Sequence, residues 1–199
     1  MLFRSNLALR AVTRPGDTVA VESPTFYGLL QIIEALGLRA IEIPTDPRQG
    51  LSLEALSFAL DSGTPIHAVV VMPTLHNPLG CTMPDARKAA LVQLCQARGL
   101  PLIEDDIYGE MADSQAAPRS LKAWDRSGQV IHCNSLNKIL APGLRLGWML
   151  AGRWQARVEM LKYTQSRFPE ELPQAVAAEF IASPAYDRHV RRLRHAMRV

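Results

Sequence analysis

The chain has 199 residues, of which 48% are hydrophobic and 21% charged, and its formal net charge is +3. This composition is typical of a globular protein that buries one core, and the charge is too small to indicate nucleic-acid binding by itself. No apolar run reaches the roughly 18 residues of a membrane span, and the N-terminus lacks the apolar core of a secretory signal.

Short apolar, β-branched runs alternate with amphipathic helical patterns along most of the chain. The predicted strands are Thr18–Glu22, Ala40–Ile43, Ala68–Met72, Leu102–Glu104, Val130–Cys133 and Leu146–Leu150. The predicted helices among them are Asn6–Val12, Tyr27–Leu36, Leu53–Leu60 and Pro84–Arg98. Continuous apolar strands that alternate with helices predict an α/β fold, with a mostly parallel sheet covered on both faces.

The strand pattern ends near Gly152, and only helices are predicted after it. These helices are Arg153–Arg167, Leu172–Ala182 and Pro184–Val199. We therefore expect an α/β domain over residues 1–152 and a helical segment over residues 153–199. The last helix carries a basic face that we interpret as solvated, formed by Arg188, Arg191, Arg192, Arg194 and Arg198.

Both ends of the sequence lie inside or beside a helical pattern. Helix Asn6–Val12 has no strand before it, and the last helix runs to Val199 without a cap. Because a complete domain rarely stops within a periodic pattern, we expect a chain cut at both ends. The cysteines, Cys81, Cys95 and Cys133, fit neither a zinc site nor a disulfide framework, which predicts a cytoplasmic setting and no metal.

The most informative segment follows the strand Val130–Cys133 and ends at Trp148. It contains one lysine, Lys138, with the hydroxyl of Ser135 three residues before it and the guanidinium of Arg145 seven residues after it. A lysine just beyond a strand of an α/β protein can form a Schiff base with an aldehyde cofactor. Ser135 and Arg145 could both hold the phosphate of that cofactor, although a solvated lysine, a core-edge serine and a surface arginine are the alternatives.

This segment resembles the S-x-x-K…P-G-x-R-x-G signature of fold-type I pyridoxal-phosphate enzymes, the class I and II aminotransferases. The resemblance implies a three-layer α/β/α large domain with one antiparallel strand in its sheet. It also implies pyridoxal 5'-phosphate as cofactor, Lys138 as the residue that forms the Schiff base, and Ser135 and Arg145 as phosphate ligands. An amino acid and a keto acid are the implied substrates, and a homodimer is the implied assembly of the full-length protein.

Two neighbouring aspartates, Asp105 and Asp106, follow the strand Leu102–Glu104. A pyridine ring is an electron sink only while its nitrogen is protonated, and a buried carboxylate beside that nitrogen raises its pKa. An aspartate at this place can also simply cap a helix. The spacing from Asp105 to Tyr108 resembles the family's D-x-x-Y, which favours Asp105 as the partner of the nitrogen and implies that Tyr108 donates to the cofactor's ring oxygen.

Asn77 and Phe26 complete the implied cofactor site. Asn77-Pro78 resembles the family's N-P-x-G, in which the asparagine amide bonds the same ring oxygen and the following peptide bond is cis; the same residues are also ordinary turn formers. Phe26 lies where related enzymes stack an aromatic ring on the pyridine. A core phenylalanine is the alternative, and Tyr27 is the alternative stacking residue.

Within the family, the sequences of Glu22–Thr25 and Leu140–Trp148 are most similar to those of the MocR subgroup of GntR-type regulators. These regulators join a winged-helix DNA-binding domain to an aminotransferase-like domain. The sequence shows no winged helix, so DNA binding is expected only through a domain absent from this chain. Also absent are the family's glycine-rich turn before the first helix and the small domain whose arginine binds the substrate carboxylate.

Three interpretations stay open: a transaminase, a cofactor-sensing effector domain of a regulator, and an inactive fragment. The first two share the cofactor site built around Lys138 and Asp105. Since positioning of the reacting groups can be worth about 7–11 kcal/mol, we expect no useful transaminase turnover from the 199-residue chain alone.

Overall fold

A seven-stranded sheet is the centre of this computed structural model, which describes residues 2–112, 118–168 and 170–197. The strands are β1 (Thr18–Ser23), β2 (Arg39–Asp46), β3 (Gly50–Leu51), β4 (Ile66–Val71), β5 (Leu102–Asp105), β6 (Val130–Ser135) and β7 (Gly147–Leu150). Their order in the sheet is β3-β2-β1-β4-β5-β6-β7, and only the two outer strands, β3 and β7, run antiparallel to their neighbours.

Seven α-helices lie within the described ranges. They are α1 (Leu2–Val12), α2 (Tyr27–Ala35), α3 (Leu53–Asp61), α4 (Asp85–Ala97), α5 (Gln155–Ser166), α6 (Glu171–Ile181) and α7 (Pro184–Ala196). Every predicted strand and helix is found within a few residues of its expected bounds. The two-residue strand β3 was missed because it is too short to carry a pattern, and Arg198 and Val199 of the last predicted helix lie outside the described residues.

The side chains of the central strands alternate between two apolar layers. Leu102 and Val130 face one side of the sheet, where they pack with α3 and α4 through residues such as Leu91. Ile103 and Ile131 face the other side, where they pack with α1 and α2. Because successive strand residues point to opposite faces, the sheet is buried on both sides, and the expected three-layer α/β/α arrangement is confirmed. None of the described helices is long and apolar enough to cross a bilayer.

Two glycines hold the loop before β6 against the start of the C-terminal helices. Gly152 has a φ of +56°, and a Cβ atom added there would lie 2.3 Å from the carbonyl oxygen of Gly128. The amide of Arg153 donates to that same oxygen at 3.1 Å, which fixes the close approach. Only glycine fits here, because a side chain would be both strained and in steric conflict.

Replacing Gly152 by alanine is therefore expected to lower the free energy of unfolding by about 2–4 kcal/mol. Urea denaturation followed by circular dichroism measures this change. Gly143→Ala is the matched control, since no atom lies within 4 Å of the added Cβ there. Equal stabilities of the two variants would contradict the prediction.

Candidate active site

The parallel strands β1, β4 and β5 bring three of the predicted site residues into one pocket. Asp105 is the last residue of β5, Phe26 lies three residues after β1, and Asn77 lies in the turn after β4. All three line a small pocket at the carboxyl ends of these strands. This is the edge at which open α/β sheets bind ligands, so the topology explains why residues far apart in sequence meet here.

Asp105 points into the pocket from the α1 side of the sheet. It is only 8% exposed, and burial raises the pKa of its carboxyl to about 6, against the opposing effect of the Arg4 guanidinium. The backbone amide of Ile107 donates to its Oδ1 at 3.3 Å. Asp105 therefore accepts a hydrogen bond from the turn after β5. It also presents to the pocket a carboxylate that a cationic ligand would stabilise.

Asp106 points to the opposite face of the sheet. Burial, together with repulsion from Glu104, raises the pKa of its carboxyl to about 7. Glu104 itself is fully buried and accepts hydrogen bonds from Nδ1 of His132 at 3.0 Å and from the amide of Leu121 at 2.8 Å. The orientation supports the choice of Asp105, whose role at the pyridine nitrogen stays a prediction.

A buried lysine, Lys88, completes this polar cluster below the sheet. Its Nζ donates to the carbonyl oxygen of Arg119 at 2.7 Å and to Oγ1 of Thr74 at 3.3 Å. Sequence reasoning missed Lys88, because a lysine in an amphipathic helix is ordinarily exposed. Among the described residues, no group of histidine, cysteine and carboxylate side chains is arranged to hold a metal ion.

The two raised aspartate pKa values predict a pH-dependent stability. Unfolded aspartates ionise near pH 3.9, whereas Asp105 and Asp106 keep their protons to about pH 6 and about pH 7 in the fold. The folded chain therefore binds more protons in this interval, and its stability falls as the pH rises. His132 acts in the same direction: burial opposes its charge, but the hydrogen bond to Glu104 outweighs burial and raises the pKa of the imidazole.

We expect the free energy of unfolding to fall between pH 5 and pH 8 by an amount on the order of 1–3 kcal/mol. Urea denaturation at a series of pH values measures the fall, and Asp106→Asn should flatten it. Carboxyls with lowered pKa values, such as that of Asp125 at about 2, change stability only in more acidic solution. A stability that rises over this interval, or an unchanged slope in Asp106→Asn, would contradict the assignment.

Phe26, rather than Tyr27, borders the pocket. Phe26 is half-buried at the start of α2, whereas Tyr27 is 70% exposed and its ring lies 4.8 Å from the Phe26 ring. The peptide bond from Asn77 to Pro78 is cis, as the family resemblance implies. The backbone amide of Asn77 donates to Sδ of Met72 at 3.2 Å, which connects the Asn77 turn to the residue after β4.

A buried pair, Glu22 and His76, lies beside these residues and was missed in the sequence. Glu22 lines the same pocket, accepts from the amide of Met72 at 2.7 Å, and has Oε2 3.3 Å from Nε2 of His76. Nδ1 of His76 accepts from the amide of Leu79 at 3.3 Å, which leaves the ring proton on Nε2, facing Glu22. The only signal in the sequence was a glutamate at the end of an apolar strand.

Ser135 is the last residue of β6, and Lys138 and Arg145 follow it along the chain. Ser135 is buried, and its Oγ accepts from the amide of Asn137 at 3.0 Å. Arg145 is exposed and has a φ of +54°, and with Ser135 and Asn137 it lines an open cleft. Oδ1 of Asn137 is buried and has no hydrogen-bond partner among the described residues.

Lys138 lies in the turn after Ser135 and is exposed. Amides of Leu140 and Ala141 donate to the carbonyl oxygen of Leu136 at 2.9 and 3.1 Å, so the backbone of the turn is fixed while the lysine side chain is accessible. Tyr108 is half-buried against the apolar cluster that includes Leu136. Of the described residues, neither Lys138 nor Tyr108 is part of the lining of the pocket or the cleft.

Arg4 of α1 connects the two halves of the site. Burial lowers the pKa of its guanidinium, the Asp105 carboxylate opposes that effect, and the positive charge of Arg145 adds to it. The guanidinium also lies against the backbone of β7, since a Cβ added at Gly147 would be 2.1 Å from it. The charge of Arg4 therefore interacts both with the carboxylate and with the arginine that the sequence analysis assigned to opposite ends of one cofactor.

Comparison with known proteins gives a consistent result. Residues 4–198 match the family described as aminotransferase class I and II. The chain is 46% identical over 189 residues to the uncharacterized HTH-type transcriptional regulator YjiR of Escherichia coli, a match that covers 95% of the chain and 40% of the regulator. It is 31% identical over 186 residues to aromatic-amino-acid aminotransferase 1 of Thermococcus litoralis, covering 91% of the chain and 44% of that enzyme.

A solved structure agrees with these relatives. The kynurenine aminotransferase of Pyrococcus horikoshii, crystallised in complex with PMP, superposes with a TM-score of 0.89 at 32% identity, and the match covers 98% of this chain and 49% of that one. The chain thus spans between 40% and 49% of the length of these three proteins.

Proposed function

Because the chain belongs to the family of class I and II aminotransferases, we propose that it carries the pyridoxal-phosphate site of an aminotransferase-like protein. The observation that carries this proposal is Asp105. Asp105 is a buried carboxylate in a pocket beside an aromatic ring and an amide, and the charge of Arg4 offsets its burial only in part, since its pKa stays raised. A further cation that pairs with it would therefore stabilise the ionised carboxylate. A protonated pyridine nitrogen is such a cation, and Phe26 and Asn77 offer a stacking face and a hydrogen-bond donor for the rest of the ring.

The residues after β6 fit the other end of the cofactor. Ser135 offers a hydroxyl and Arg145 a guanidinium to the phosphate, and both line the same cleft. Lys138, exposed between them in sequence, offers an amine to the aldehyde. The bound cofactor would supply an electron sink; the chain would hold its nitrogen protonated through Asp105, orient its ring through Phe26, Asn77 and Tyr108, and accept and return a proton at Nζ of Lys138.

We propose transamination between an amino acid and a keto acid as the activity of the whole protein, acting as a homodimer in the cytoplasm. The support is the similarity to the Thermococcus and Pyrococcus aminotransferases, which act on such substrates by their names. Substrate binding and turnover concern the whole protein, since the chain spans under half of these enzymes' length.

A second candidate is an effector domain that senses the cofactor or its amino-acid adduct for a transcriptional regulator. The observation that favours it is the 46% identity to an HTH-type regulator, well above the 31% identity to an aminotransferase. Both candidates require the same cofactor site. They differ in turnover, so the release of keto acid from an amino donor by the whole protein separates them.

Cofactor binding to this chain tests the proposal common to both candidates. The purified chain is titrated with pyridoxal 5'-phosphate and, in parallel, with pyridoxal, which lacks the phosphate. We expect visible absorbance and saturable binding with the first, and binding weaker by at least about tenfold with the second, because charge-assisted hydrogen bonds to Arg145 are lost. Equal binding of both compounds, or no saturable binding, would overturn the assignment of the site.

A further inference from the structure

The last helix, α7, packs on the two turns that carry Lys138 and Tyr108. We call residues 136–140, after β6, the lysine turn. The buried side chain of Val190 joins Leu136 and Ile139 of the lysine turn and Met111, which follows Tyr108, in one apolar cluster. One helix face thus contacts loops from two different strands of the sheet.

Polar contacts from the same helix face reach the same two turns. Arg194 donates from Nε to the carbonyl oxygen of Glu110 at 2.7 Å, and the hydroxyl of Tyr186 donates to the Glu110 carboxylate. His189 lies between them on the helix, with its Nε2 2.7 Å from the carbonyl oxygen of Ile139. Residues three, four, seven and eight apart share one side of a helix, which is why these side chains all point to the site.

The His189 contact is directed at the backbone beside the reactive lysine. A carbonyl oxygen only accepts, so Nε2 of His189 carries the proton and donates it to the residue that follows Lys138. The ring is held from its other side by Phe180 of α6, at 6.3 Å between centroids and in an edge arrangement. The imidazole is therefore oriented before any ligand binds, and its hydrogen bond constrains the lysine turn from outside the sheet.

From these contacts we infer that His189 is a positioning residue for Lys138. It fixes the lysine turn through the Ile139 carbonyl and thereby sets the direction from which the Lys138 amine approaches the cofactor. Helix α7 then supports the cofactor site through the lysine turn, without its own side chains touching the cofactor. The inference rests on the proposed function, because positioning of Lys138 matters only if that lysine reacts.

Hydrogen exchange on the cofactor-free chain tests the contact without relying on the cofactor. In His189→Met, which keeps bulk against Phe180 but removes the donor, the amides of Leu140 and Ala141 should exchange about tenfold faster. His189→Gln, whose amide nitrogen can replace Nε2, should restore wild-type exchange. His195→Met, an exposed histidine of the same helix, is the matched control, and amides of β1 and β4 report global opening.

A second readout uses the cofactor. The rate of borohydride-stable attachment of pyridoxal 5'-phosphate to Lys138 should fall by several-fold in His189→Met and recover in His189→Gln, with the β1 and β4 amides unchanged. Wild-type exchange of Leu140 and Ala141 in His189→Met, or equal acceleration in His195→Met, would overturn the inference. If the wild-type chain attaches no cofactor, the proposed function fails, whereas the exchange result still decides whether His189 holds the turn.

Discussion

Replacing Lys138 by alanine is expected to abolish covalent attachment of pyridoxal phosphate to the chain. The sequence contains four lysines, and the other three are poorly suited to the reaction. Lys88 is fully buried below the sheet, and Lys122 is bonded to Asp125 and to the carbonyl oxygen of Val130 at 2.8 and 2.7 Å. Lys162 lines the same cleft as Ser135 but lies on α5. Only Lys138 combines exposure with a place directly after the β6 strand end.

Two measurements check this prediction. The visible absorbance of the pyridoxal-phosphate complex is recorded first, and the complex is then reduced with borohydride and its labelled peptide is mapped. The wild-type chain should carry the label on Lys138, and Lys138→Ala should show neither label nor the visible band. Lys162→Ala is the matched control and should behave as the wild type. A label on Lys122 or Lys162 in the wild-type chain would show that the reactive lysine has been misassigned.

The second large effect is expected at Asp105. Asp105→Ala removes the buried partner of the pyridine nitrogen and should weaken cofactor binding by at least about 100-fold, since uncompensated buried charges cost several kcal/mol. Asp106→Ala should be much milder, because that carboxylate faces the Glu104 side of the sheet. Any transaminase activity of the whole protein should be lost with Asp105 and largely kept with Asp106.

Stability provides an independent check on this pair. Burial raises the pKa of Asp105, so its ionised form destabilises the cofactor-free chain at neutral pH. Asp105→Ala should therefore lose cofactor affinity without a matching loss of unfolding free energy. Isothermal titration with pyridoxal phosphate and urea denaturation, on the same samples, measure the two quantities. Equal affinities of the two variants, or a stronger defect in Asp106→Ala, would refute the choice of Asp105.

Much of this fold was predictable because its signals are local. The central strands contain continuous runs of apolar residues such as Ala68–Val71, a pattern typical of a parallel sheet that is buried on both faces. The choice of Asp105 over Asp106 rested on the spacing to Tyr108 alone, and its role at the pyridine nitrogen stays a prediction. The family resemblance supplied the cis bond after Asn77 in advance of the structure.

What the sequence could not provide was contact between distant polar side chains. Glu22 and His76 are separated by more than fifty residues, and nothing in either segment predicts that Nε2 of His76 lies 3.3 Å from Glu22. From the sequence alone, Lys88 is expected to be a solvated helix lysine, but the fold buries its side chain against the sheet. His189 also could not be singled out within a basic helix, because its partner is the backbone carbonyl oxygen of Ile139 and a backbone atom leaves no signal in the sequence.

The pairing of β5 with β6 fixes which of two identical carboxylates is available for chemistry. Glu104 pairs with His132 and Asp105 with Cys133, and a shift of β5 by one residue would exchange the two faces. Asp106 would then enter the pocket, while Asp105 would take the place of Glu104 beside His132 and Lys88. The distinction between a cofactor ligand and a buried structural acid is thus a matter of odd or even position along one strand. Redesign of this site by insertion or deletion must therefore change β5 in steps of two residues.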